Sequence, residues 1–213
     1  MLHGRGLRGE VCREGGTVDC VEVPAGRIAA VVTSLEMLAP PALRANKAQL
    51  DLRLRRAVRP DLGWYRSLFR RVGQDWLWLS RLRMEDERLG AVLEDPLVEI
   101  HALRRGSKDE GLLELDFRTP EACELGFFGL APDLIGTGAG RWLMNRALEI
   151  VWSRPVKRFW IHTCTLDHPD ALAFYLRSGF RPFRRHVEIG DDPRLDGTLP
   201  RDAASHFPVL SVS

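Results

Sequence analysis

Long apolar runs are missing from this 213-residue sequence. No stretch approaches the roughly 18 to 20 consecutive apolar residues of a membrane-crossing helix, which excludes that class. The N-terminus, Met1–Arg8, is basic but has no apolar segment behind it, so it does not read as a secretory signal. Cysteine is scarce. The four present, Cys12, Cys20, Cys123 and Cys164, form no C-x-x-C pair and no Cys/His cluster with zinc-ligand spacing. The expectation is four reduced thiols, no metal centre and a cytoplasmic location. Lysine is scarcer still, with only Lys47, Lys108 and Lys157, so arginine carries nearly all the positive charge and an Arg-Arg pair says little. Excess charge of either sign is absent too. The 31 basic and 29 acidic residues leave +2, too balanced to point to nucleic acid or an anionic membrane. No internal repeat or low-complexity tract is visible.

What remains is an ordinary globular composition, 45% hydrophobic and 28% charged, long enough for one substantial core. Over residues 1–49 the pattern suggests a strand pair, Thr17–Val23 and Ile28–Leu35, joined by the Pro24-Ala25-Gly26 turn. Leu52, Leu54 and Val58 against Arg53, Arg55 and Arg56 read as a strand with one solvated face. Asp61 can cap a helix whose inner face is Tyr65, Leu68, Phe69 and Val72, spaced i, i+3, i+4, i+7. Asp75–Trp78 is an aromatic connector, and Glu85–Leu93 a second helix ended before Pro96. Three alternating runs follow, Val98–Leu103, Leu113–Phe117 and Cys123–Leu130, separated by short turns as in an antiparallel meander. Helix Arg141–Trp152, strand Phe159–Thr163, helix Ala171–Ser178 and strand Phe183–Ile189 complete the order, and the strand–helix–strand crossing after Leu125 implies one parallel pairing. The fold class is α/β (α+β): a mixed, mostly antiparallel sheet flanked by helices, with an extra N-terminal strand segment. Residues 50–189 form the main domain, and 190–213 a tail over the surface.

The most informative segment is Leu130–Arg141, with Gly136, Gly138 and Gly140 between a strand and a helix. Such a turn exposes backbone N–H groups beside a helix N-terminus, which suits a phosphate or pyrophosphate. A Walker A loop would need Lys-Ser/Thr where Arg141-Trp142 stands. A dinucleotide fingerprint would need G-x-G-x-x-G rather than G-x-G-x-G, plus an acidic residue after a second strand. A tight turn without ligand is the remaining alternative.

Two motifs in the expected order resemble the GNAT superfamily of acyl-CoA-dependent N-acyltransferases. The first is Leu130-x-Pro132 followed by Ile135-Gly136-Thr137-Gly138-Ala139-Gly140; the second is Ala171-Leu172-Ala173-Phe174-Tyr175 followed by Gly179-Phe180. The resemblance covers about Leu50–Ile189. It departs at Ile135, where the family has Arg or Gln, and at His168, where it often has Asn. The resemblance implies acetyl-CoA as cosubstrate, held by Phe128, Leu130, Ile135, Gly136, Thr137, Gly138, Ala139, Gly140, Arg141, His168 and Phe174. It implies Tyr175 as the acid that protonates the CoA sulfur, Glu124 as the base for the amine, and a backbone N–H near Phe128–Leu130 for the thioester oxygen. Glu99, Glu114, Asp116 and His101 are further candidates for the base. Glu124 is expected opposite the face of Cys123, Leu125 and Phe127. Trp76, Trp78, His162 and Cys164 are candidates for the acceptor side, with Cys164 not expected to be a nucleophile. The implied partners are a small-molecule or peptide amine and, as in many relatives, a second copy as homodimer. A non-catalytic acyl-CoA sensor and a nucleotide-binding oxidoreductase are the competing functions.

Overall fold

A computed structural model describes residues 20–46 and 51–211. One seven-stranded sheet organises them: β1 (Arg27–Met37), β2 (Leu52–Ala57), β3 (Val98–Arg105), β4 (Lys108–Asp116), β5 (Ala122–Leu130), β6 (Arg158–Cys164) and β7 (Arg181–Asp191). The spatial order is β2-β3-β4-β5-β6-β1-β7. Only β5 and β6 run parallel; the other neighbours are antiparallel. Among the described residues the α-helices are α1 (Leu62–Gly73), α2 (Ser80–Arg83), α3 (Asp86–Glu94), α4 (Ala139–Trp152) and α5 (Ala171–Ser178). This matches the mixed sheet read from the sequence. Among the described residues, no helix is long and apolar enough to cross a membrane.

Each face of the sheet has its own core. On one face, Leu143, Met144, Ala147 and Val151 of α4 pack on Leu113, Leu115, Leu125 and Phe159. On the other, Tyr65, Leu68, Phe69 and Val72 of α1 pack on Ile100 and Leu112. The α1 stripe is the one its spacing predicts. Its start is fixed by Asp61, whose Oδ1 accepts the Trp64 N–H at 2.8 Å. Its last residue is Gly73, where a Cβ would stand 2.5 Å from the Trp78 ring.

The N-terminal region differs from expectation. Residues 20–23 are not a strand, and 17–19 lie outside the described residues. Ile28–Leu35 instead lies within β1, which runs inside the sheet between β6 and β7. The reason is burial: Leu35 and Met37 face the α4 core, while Ala30 and Val32 are buried on the opposite face. A strand with apolar residues on both faces belongs inside a sheet.

The tail is a folded element. Leu199, Ala203 and Ala204 enclose Leu77 from the segment before α2, and Arg83 of α2 bonds Asp196 and Thr198. Arg194 staples it. Its guanidinium pairs bidentately with Asp192 (2.9 and 2.7 Å) and donates to the carbonyls of Ala203, Ala204 and Phe207. Both charged side chains are at most 3% exposed. Arg194→Met would leave Asp192 and three carbonyls without their partner, and should lower the unfolding free energy by about 3 kcal/mol in urea denaturation.

Candidate active site

The site begins with two parallel strands that stop pairing. β5 and β6 are in register only over Ala122–Glu124 and Arg158–Trp160. A β-bulge at Gly126 then shifts β5 against β4, so that Glu114 faces Phe127 while Leu115 faces Leu125. Glycine suits this position, because a Cβ would come within 3.2 Å of Glu114 Oε1. Beyond the bulge β5 leaves β6, and among the described residues its edge there has no strand partner. A cleft of about 1030 Å³ opens between Gly126–Leu130 on one side and Ile161, His162 and Cys164 on the other.

The bulge also reassigns faces. Phe127 does not share the face of Cys123 and Leu125, as strict alternation predicts. It joins Glu124 on the α1 side, packing on Phe69 (4.7 Å between ring centres) and Trp78 (5.2 Å). Phe128 turns to the α4 side, stacked on Phe174 at 5.7 Å. One inserted residue reverses the alternation that follows it.

At one end of the cleft lies the glycine turn. Gly136 (φ 79°) and Gly138 (φ 91°) adopt left-handed conformations, and Gly138 opens α4. Among the described residues, no acceptor faces the N–H groups of Gly136, Gly138, Gly140 and Arg141, and the first turn of α4 carries no acidic residue. Ile135, Gly136, Gly138, Gly140 and Arg141 line the cleft. Thr137 and Ala139 do not: the Thr137 hydroxyl donates to Leu134 O at 2.7 Å, and Ala139 is buried in the core. Arg141 lies over the Phe174 ring at 4.8 Å with Nη1 buried and unpartnered. Burial, then the charges of Arg44 and Arg177, lower its pKa. Those two arginines also line the cleft, and none of the three has a carboxylate partner among the described residues. This anion-ready cluster with open N–H groups fits the phosphates of a coenzyme A. Sequence reading named Arg141 alone. Arg44 and Arg177 are over thirty residues away from it on either side, and only folding unites them.

Tyr175 stands at the opening. It is buried among Phe128, Phe174 and Phe180, lines the cleft, and its hydroxyl has no hydrogen-bond partner among the described residues. Burial, reinforced by Asp167, raises its pKa, so the phenol keeps its proton. His168 also lines the cleft, its Nδ1 accepting from the Asp170 N–H at 3.1 Å and its ring edge-on to Trp76 at 5.0 Å.

Glu124 lies just outside the lining, behind His162, whose Nδ1 is 3.7 Å from Glu124 Oε1. Burial pushes its pKa up to about 7, and Asp116 and Glu114 add to the shift while Arg81 and Arg118 oppose it. The other carboxylates are engaged. Glu114 is buried, accepts from the Tyr65 hydroxyl at 2.5 Å and pairs with Arg81. Asp116 pairs with Arg118. Glu99 bonds His101 at 3.0 Å and pairs with Arg56 and Arg154, away from the cleft lining. Cys164 lines the cleft, but burial pushes its thiol up to about 11, which leaves little thiolate. Trp78 is mainly a packing residue, wedged against Gly73 and donating from Nε1 to Asp167 Oδ1 at 3.0 Å.

The family model described as the acetyltransferase (GNAT) family matches residues 60–180, more than half of the sequence. The chain belongs to the acetyltransferase (GNAT) family. Solved structures share the fold. A functionally unknown conserved protein from Staphylococcus epidermidis superposes with a TM-score of 0.55 at 13% identity, over 78% of this chain and 63% of that one. An aminoglycoside acetyltransferase, HMB0005, from an uncultured soil metagenomic sample gives 0.54 at 15% identity, over 66% and 99%. A GCN5-related N-acetyltransferase from Sphaerobacter thermophilus gives 0.53 at 17% identity, over 79% and 53%. No curated protein matches the chain by sequence. Within this GNAT chain the matched segment carries β3–β6, the glycine turn, α4 and Tyr175, while β1, β7 and the tail lie outside it.

The raised Glu124 pKa has a sign for stability. The folded state holds the proton more tightly than the unfolded chain, so ionising Glu124 costs stability as pH rises from its ordinary 4.5 through about 7. Glu124→Gln should therefore gain on the parent chain across that window in urea unfolding. A pH-independent difference would mean Glu124 titrates normally.

Proposed function

We propose that this GNAT protein transfers an acetyl group from acetyl-CoA directly to a primary amine. The observation that carries the proposal is the splay of β5 from β6, with an unpartnered phenol on one side and a carboxylate of raised pKa behind the other. Acetyl-CoA supplies an activated acyl group as a thioester. The N–H groups of Gly136, Gly138, Gly140 and Arg141 would receive its pyrophosphate at the start of α4, with Arg44, Arg141 and Arg177 neutralising the phosphates. Phe128 and Phe174 border the path from that turn to Tyr175.

Each remaining group answers a demand of the chemistry. The bulged edge of β5 offers backbone N–H groups near Phe128–Leu130, free of any strand, to the oxygen on which negative charge builds. The Tyr175 hydroxyl donates to the sulfur as it leaves. A phenol of raised pKa would be a poor acid in water. Here the same desolvation that raises Tyr175 also raises the basicity of a thiolate beside it, so the transfer stays near balance. Glu124, with a pKa of about 7, takes the ammonium proton through His162 or a water, and the neutral amine then attacks the carbonyl. The carboxylate is half ionised near neutral pH, where an unshifted glutamate would be too weak a base.

Two measurements test this reading. Acetyl-CoA and CoA should raise the melting temperature, while ATP and NADPH should not; saturation at about 100 times Kd corresponds to roughly 2.7 kcal/mol. No response to CoA would overturn the cradle. Tyr175→Phe should lower kcat by at least about tenfold with little change in acetyl-CoA affinity. Glu124→Gln should remove the rise of kcat/KM through about pH 7. Unchanged turnover or an unchanged profile would remove either residue from its role, and binding without transfer across amines would favour a sensor.

A further inference from the structure

The cleft has two chemically different halves, and the floor of the second lies outside the family-matched segment. Residues of β1 and β7 supply its floor. Opposite residues of antiparallel strands share a face, so the pairings Val32 with Cys164 and Ala30 with Glu188 place these side chains together. Ile28, Ala30 and Val32 all line the cleft. Above them stands the segment before α2, with Trp76, Leu77 and Leu79 also in the lining. The folded tail presses Leu77 into place through Leu199, Ala203 and Ala204, and His206 lies 6.0 Å from the Trp76 ring. This is an apolar slot whose roof is fixed from behind.

Charge is distributed with equal asymmetry. Among the described residues the arginines of the lining, Arg44, Arg141 and Arg177, belong to the group around the glycine turn, and no described lysine lines the cleft. On the floor of the other half the charged group is Glu188, whose Oε1 is 3.0 Å from His186 Nε2. The nearby carboxylates are taken: Asp167 by Trp78, Thr163 and the Cys164 N–H, and Asp191 by Arg27 at 3.4 Å. Asp170 is exposed at the start of α5. A ligand with one positive charge and an apolar body matches this half. A polycation would find too few free carboxylates, and a long peptide would leave backbone groups facing Ile28, Ala30 and Val32 without hydrogen bonds.

We infer that the acceptor is a small primary amine on an apolar body, alkyl or arylalkyl, seated on the β1 floor under Trp76 and Leu77 with Glu188 attracting its ammonium. The inference rests on the acetyl-transfer reading above and names the substrate class of the same site. Ala30 and Glu188 are its specificity-determining residues.

A homologous series tests it. n-Butylamine to n-octylamine share one basicity, so only burial changes along the series. With thiol release as the readout, kcat/KM should rise about threefold per methylene until the slot is full. 2-Phenylethylamine should exceed spermidine and a pentapeptide with a free N-terminus. Ala30→Trp should cut kcat/KM for octylamine by at least about tenfold while the acetyl-CoA melting shift is retained. Ala30→Leu, a milder filling, should shorten the preferred chain. Glu188→Gln, at an exposed side chain, should raise KM for every alkylamine several-fold without changing acetyl-CoA binding. A flat series, spermidine or the peptide as the better acceptor, an indifferent Ala30→Trp, or acetyl-CoA binding without acetylation of any alkylamine would each overturn the inference. Loss of the acetyl-CoA melting shift in the parent chain would instead defeat the acetyl-transfer reading.

Discussion

Two parallel strands that pair for three residues and then separate set the terms for the rest of the structure. A parallel ladder that continued to Leu130 would close the sheet and leave no passage between its faces. The bulge at Gly126 turns β5 away while its pairing with β4 resumes on the far side. The consequence is a gap that joins the α4 and α5 face, which carries Tyr175, to the α1 face, which carries Glu124 and the β1 floor. Reagents held on opposite faces of a sheet can meet only through such a gap. The backbone groups left unpaired along its edge are free to donate hydrogen bonds into the gap.

Electrostatics follow the same division. The α4 N-terminus and three arginines without a carboxylate partner among the described residues make one end of the cleft receptive to phosphates, and burial, then the charges of Arg44 and Arg177, lower the pKa of Arg141. Carboxylates gather on the other side of the gap instead. Glu114 and Asp116 are engaged by Arg81 and Arg118, and burial, with the added charges of Asp116 and Glu114, keeps Glu124 protonatable near neutrality. The Tyr65–Glu114–Arg81 network thus has two effects. It anchors α2 against the bulge, and it sets the potential felt by the neighbouring carboxylate.

The periphery is more than a covering. β1 is inserted between β6 and β7 and contributes both to the α4 core and to the cleft floor. The tail holds the β1 entrance through the Gly26 N–H to Leu210 O bond, the segment before α2 through Leu77, and α2 itself through Arg83. The margins outside the family-matched segment add Arg44 to the arginine cluster and Ile28, Ala30 and Val32 to the cleft floor, while Trp76 and Leu77 above that floor lie within the match.

Local pattern alone carried much of this. The α1 stripe, the meander, the glycine turn and the Phe174-Tyr175 pair were legible because each depends on near neighbours in sequence: a 3.6-residue period, a period of two, or glycines at fixed spacing. The turn motif and Tyr175 together were enough to indicate the family. What the sequence could not show depends on long-range placement. A bulge inserts one residue without a marker that distinguishes Gly126 from any other strand glycine, so Phe127 and Phe128 are assigned to the wrong faces by alternation. β1 reads as half of a hairpin because its partners β6 and β7 lie over 120 residues away. Arg44 and Arg177 become an anion site, and Glu188 a cleft wall, only when the sheet is assembled. Residue chemistry and local periodicity are written along the chain; shared faces, burial and the fields that shift Glu124 arise between segments that meet only in the fold.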